Sequence, residues 1–62
     1  MTPTELAAIL RLLELTQREA AERLGIDHST LWRYLHGQQP IPGPVAAAVR
    51  AWRALHQEKV TP

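Results

Sequence analysis

Five residues in one short stretch carry the side chains best suited to a polar partner: His28, Ser29, Thr30, Trp32 and Arg33. A hydroxyl donates and accepts, a guanidinium donates through a rigid fork, and an imidazole does either according to its protonation. At about 100° per residue, a helix through this stretch sets Ser29 and Arg33 on one side. Thr30 and Trp32 flank that side and His28 stands at its amino end. Groups of this kind read base-pair edges in a DNA major groove. An arginine bridges guanine O6 and N7, and an indole meets a thymine methyl or the sugar–phosphate wall. For Trp32 the competing reading is a half-exposed ring covering the edge of the core. The third helix's outer side, taken alone, reads more readily as a merely solvated face, and it is the whole pattern that favours DNA readout.

Catalysis and metal binding find no support in these residues. There is no Cys, Asp27 is the single Asp, and no Ser/His/acid set is visible, which points to a protein that is not an enzyme. His28 and His36 are eight residues apart, about 12 Å along a helix, too far to share a metal ion. His36 is expected near a helix carboxyl end, where a cation is favoured. No cofactor is implied.

Several local signals fix the elements that must hold this stretch. Thr2-Pro3-Thr4-Glu5 is a helix start, with Thr2 as cap and Pro3 at the first helical position. Leu6, Ile9, Leu10 and Leu13 then form an apolar stripe, and Leu12 lies off it. Thr16-Gln17-Arg18-Glu19 predicts a capping box, with Leu15 as its hydrophobic staple. Ala20, Ala21 and Leu24 face inward, and Arg18/Glu22 and Glu19/Arg23 are candidate i,i+4 ion pairs. Gly25 stops the helix, and Ile26 turns inward. Asp27 is expected to cap a third helix, its carboxylate accepting from the N–H of Ser29 or Thr30. Leu31, Tyr34 and Leu35 face the core, and Gly37 ends the helix. Gln38 to Gly43 is a loop. A last helix, about 43–58, presents Val45, Ala48, Val49, Trp52 and His56 on one face, with Leu55 beside it. Val60-Thr61-Pro62 is expected to fray.

The whole chain agrees with this plan. It has 62 residues, 45% of them apolar, with nine Ala, nine Leu and no Phe. That mix favours helices, and the length limits the chain to one small domain, 1–62. A net charge of +1 is too even for disorder and too small for a strongly polybasic binder. Absent cysteines fit a reducing compartment. Without a signal-peptide pattern or an apolar run of about 18 residues, a cytoplasmic protein with no membrane association is expected.

Two helices joined tightly at Gly25-Ile26-Asp27, the second presenting an outward polar face, specify a helix-turn-helix at about 17–36. The run Thr16-Gln17-Arg18-Glu19-Ala20-Ala21-Glu22-Arg23-Leu24-Gly25-Ile26-Asp27-His28-Ser29-Thr30-Leu31-Trp32-Arg33-Tyr34 resembles the helix-turn-helix of the phage Cro/CI repressor family, also called the XRE family. The matching pattern is Gln17-x3-Ala21-x3-Gly25-Ile26-x4-Leu31-x2-Tyr34, and the resemblance extends over about residues 4–55. It implies an all-α bundle of four to five helices, like the lambda repressor DNA-binding domain. It also implies a repressor that binds an operator in double-stranded DNA as a homodimer, in a bacterial or phage-infected cell.

The resemblance assigns roles residue by residue. Thr16 and Gln17, where the second helix begins, match phosphate-contacting positions. His28, Ser29 and Arg33 match base-reading positions, with Thr30 and Trp32 beside them. Gln38 and Gln39 match a loop along the DNA backbone. Asp27 stands where the family often has Ser or Thr. Leu10 and Leu35 replace an Arg/Glu pair frequent in the family, an exchange that costs a fold little. The usual fourth and fifth helices are merged into one. Leu12, Trp52 and Leu55 are the expected apolar patch for dimerisation. A second reading is a protein-interaction module, such as the DNA-binding antitoxin of a toxin–antitoxin pair. For it, only Gln57 to Pro62 is left as a tail.

Overall fold

A computed structural model of the chain describes residues 1–60, with side chains described as far as His56. Four helices follow one another: α1 (Pro3–Leu12), α2 (Gln17–Leu24), α3 (His28–Leu35) and α4 (Gly43–Val60). There is no strand among the described residues. The last helix is a single one, which fits the merger read from the sequence, and it reaches two residues beyond the expected end at 58. Thr61 and Pro62 of the expected frayed end lie outside the described residues.

The caps follow the sequence at two of three starts. Thr2 accepts the Glu5 N–H through its hydroxyl at 3.1 Å, and Pro3 sits in the first turn. The Thr16 capping box is complete: its hydroxyl accepts the Glu19 N–H at 3.1 Å, and its own N–H donates to the Glu19 carboxylate at 3.2 Å. The third start corrects the expectation. Asp27 is the cap residue of α3, but its side chain makes no capping bond. Its backbone carbonyl takes the Thr30 and Leu31 N–H groups instead, at 3.0 and 3.1 Å. Asp27 is exposed, and at an exposed site an intramolecular hydrogen bond gains little over one to solvent.

Three helix ends share one construction. After α2, Gly25 takes a left-handed conformation (φ 70°, ψ 30°). Its N–H reaches the Glu22 carbonyl at 3.2 Å, and the Ile26 N–H reaches back to Ala21 at 3.1 Å. That pair of bonds is a Schellman stop. Gly37 (φ 72°) does the same after α3, with Gly37 N–H to Tyr34 at 3.3 Å and Gln38 N–H to Arg33 at 2.9 Å. After α1 the left-handed residue is Glu14 (φ 57°), with Glu14 N–H to Arg11 at 3.1 Å and Leu15 N–H to Leu10 at 2.9 Å.

Each helix gives the core one fully enclosed residue: Leu6, Ala20, Leu31 and Val49 are all 0% exposed. Ile9, Leu10, Ala21, Tyr34 and Ala46 are buried around them. Enclosing each larger aliphatic side chain contributes about 1.5–3 kcal/mol. Helices α3 and α4 both pack on α1, and α2 packs on α3. The inward side of α4 is rotated slightly from the expected one: Ala46 is buried and Ala48 only half-buried. Among the described residues no helix is long and apolar enough to cross a membrane.

Candidate nucleic-acid interface

The interface is built around the turn at Gly25. A Cβ added there would meet nothing within 4 Å, so the glycine serves backbone conformation and not space. The turn carries the chain directly from α2 into α3, with Ile26 half-buried beneath it. Leu31 and Tyr34 then anchor α3 from inside, at 0% and 8% exposure, and Leu35 is half-buried. With those three facing inward, the 3.6-residue period leaves the other side of α3 to solvent.

That other side holds the predicted reading residues. His28, Ser29, Trp32 and Arg33 are exposed, and Thr30 is half-buried at the margin. Trp32 is 39% exposed, so it is neither a core residue nor a free one. Arg33 has no ion-pair partner among the described residues, which leaves its guanidinium fork open to a ligand. His28 and Arg18 line one open depression where α2 and α3 meet the surface.

Trp32 has a partner that the sequence reading did not assign. The His36 imidazole stacks on the indole with ring centroids 4.0 Å apart and planes inclined by 19°. The His36 Nδ1 lies 2.9 Å from the Trp32 carbonyl oxygen. A carbonyl can only accept, so this nitrogen is the donor. The i,i+4 spacing of the two rings was the signal available in the sequence.

The expected backbone-contacting residues stand at the start of α2 and just after α3. Gln17 is half-buried at the start of α2 and Thr16 is exposed beside it. Gln17 and His36 line one groove of about 380 Å³, with Leu10, Leu15 and Leu35 as its apolar floor and Arg11 at its edge. The apolar pair Leu10 and Leu35 therefore lies together, where an Arg/Glu pair was the family alternative. Gln38 and Gln39 are exposed just beyond the Gly37 stop.

One ion pair among those expected forms and one does not. Arg18 and Glu22 approach to 3.9 Å, both largely in water, where such a pair contributes little. Glu19 and Arg23 are not paired, because Glu19 is engaged in the capping box and Arg23 lies over the Trp52 ring at 6.0 Å. This places the residues expected to dimerise in two groups. Trp52 and Leu55 share a groove of about 200 Å³ with Leu13, Leu15 and Arg23. Leu12 lines a separate depression with Ala8 and Arg53. Leu12 and Leu55 are 46% and 56% exposed.

Comparison with known proteins adds one finding. A family described as the helix-turn-helix domain matches residues 1–60. No curated protein and no solved structure gave a significant match. Two short helices locked by a glycine turn, a second helix with one side enclosed and the other bare, and a family match over nearly the whole chain agree: the chain belongs to the helix-turn-helix domain family, whose members are DNA-binding proteins.

Proposed function

We propose that this chain is a sequence-specific regulator of transcription, similar to the Cro/CI (XRE) repressors, that binds an operator in double-stranded DNA as a homodimer. It acts by occupancy, covering a pseudo-palindromic operator and excluding polymerase. The observation that supports this most directly is the division of α3 into an enclosed side and a bare side carrying hydrogen-bonding groups. In this reading Arg33 bridges guanine O6 and N7, and His28 and Ser29 read neighbouring edges. Thr30 and Trp32 contact the flanks of the same groove. Thr16, Gln17, Gln38 and Gln39 hold the phosphate backbone and set the register. The Thr16 hydroxyl oxygen is used by its cap, but its hydrogen is still available to a phosphate.

The charge of the motif favours two subunits. Arg18, Arg23 and Arg33 are balanced by Glu19, Glu22 and Asp27, so one subunit gains little from phosphate neutralisation. Two linked half-site contacts recover affinity without more charge. The two half-sites then lie about 34 Å, or about 10 bp, apart. Trp52 and Leu55 supply the apolar surface between subunits, and Leu12, in its own depression, is a second and separate contact.

The test is selection of bound duplexes from a random library, followed by sedimentation of the protein with the selected duplex. An inverted repeat with two chains bound supports the proposal. Retention of all sequences alike at ordinary ionic strength overturns it.

A further inference from the structure

The outer side of α3 is two columns, not one. Ser29 and Arg33 stand four residues apart on one, and His28, Trp32 and His36 stand at successive intervals of four on the other. The second column ends in a fixed pair. The Trp32 carbonyl accepts two hydrogen bonds from His36, one from its backbone N–H at 3.0 Å and one from Nδ1 at 2.9 Å. The imidazole itself is held by one of these bonds, at Nδ1, and its ring centroid lies 4.0 Å from that of the indole. An exposed tryptophan ordinarily samples several rotamers and loses that freedom when it binds. Here the ordering has been done by the residue that closes the same helix, before any ligand arrives.

We propose that His36 is a positioning residue for Trp32: the stack holds the indole edge-on to the groove, where it recognises a thymine methyl. The proposal rests on the reading of α3 as a DNA-reading helix. The indole suits that target because its carbon edge is apolar and the thymine C5-methyl is the one apolar group that a major groove presents. Arg33, in the adjacent column, meets a purine edge next to it. The imidazole does not touch the base, and its effect passes through the orientation of the indole.

The experiment uses the full chain and the duplex selected by the wild-type protein. Each thymine of that duplex is replaced in turn by deoxyuridine, which removes only the methyl group. Binding is measured for the wild type, Trp32→Ala, His36→Ala, His36→Phe and the Trp32→Ala/His36→Ala double variant. At one thymine, wild-type binding is expected to weaken on loss of the methyl, and Trp32→Ala is expected to be indifferent to it. His36→Ala should lose most of that methyl dependence and about threefold to tenfold in affinity. His36→Phe retains a flat ring and should retain the methyl dependence. The double variant should bind no worse than Trp32→Ala alone. Equal weakening by His36→Ala on both duplexes, with the methyl effect intact, overturns the proposal and makes His36 a general backbone contact. Additive losses in the double variant overturn it too. If the wild type selects no sequence at all, the regulatory reading itself fails. If it selects one in which no thymine methyl depends on Trp32, only the present inference fails.

Discussion

Arg33 is an arginine with no ion-pair partner among the described residues, on the bare side of a helix whose other side is enclosed. Its replacement by alanine is expected to remove about 1–3 kcal/mol of discrimination at one base pair while leaving the other preferences standing. Competition binding against single-base operator variants measures this. Gln17→Ala should instead weaken all duplexes by a similar factor, since a phosphate contact carries no sequence information. At this scale the sequence was legible where periodicity alone decides. Spacing from Leu31 and Tyr34 was enough to set Ser29 and Arg33 outward. It was not enough where one side chain had two possible partners. Glu19 could meet the Thr16 N–H or Arg23, and it takes the first, so Arg23 is free to lie over Trp52. The Asp27 carboxylate could cap α3 or stay at the surface, and it makes no capping bond. Those are contests between partners of similar strength, and type and spacing do not rank them.

Among the elements, the three helix stops differ in one respect that can be measured. Gly25 and Gly37 occupy a left-handed conformation that glycine adopts without strain, whereas Glu14 adopts it with a Cβ present. Glu14→Gly is therefore expected to raise stability by about 0.5–1 kcal/mol, and Gly25→Ala to lower it by about 1–2 kcal/mol. Urea unfolding of both variants checks the pair. The surroundings of Gly25 are open, so the loss at that site reports backbone strain and not a clash. Both glycine stops were visible in the sequence because the residue type announces the conformation. The stop at Glu14 was not, because nothing about a glutamate marks a left-handed turn. There the closing hydrogen bonds and the half-buried Leu15 impose the geometry. The face of α4 differs from its periodicity by the burial of Ala46, and the packing partner that sets a helix's rotation is not contained in a pattern within that helix.

For the molecule as a whole, size makes each enclosed side chain weigh heavily. At about 0.05–0.15 kcal/mol per residue, a chain this short has roughly 3–9 kcal/mol of stability to lose. Leu31→Ala is expected to cost about 2–5 kcal/mol, a large part of that total, and to show it as a lowered thermal midpoint together with loss of DNA binding. The even charge sets a second expectation. With a net charge of +1, few phosphates can be neutralised per subunit. The dimer's affinity should then fall with salt along a logarithmic slope shallower than about −5, measured between about 50 and 200 mM. A slope near −10 would show that charge, and not the bare side of α3, dominates binding.

On α3, the residues that would choose a DNA target and the residues that keep the molecule folded are nearly separate sets, with Thr30, half-buried at the margin, between them. Leu31, Tyr34 and Leu35 belong to the interior, and His28, Ser29, Trp32 and Arg33 belong to the outside. A lineage carrying this scaffold could thus acquire a new operator by exchanging a few outer positions while its melting temperature stayed nearly constant. Retargeting and folding would be inherited as separable traits.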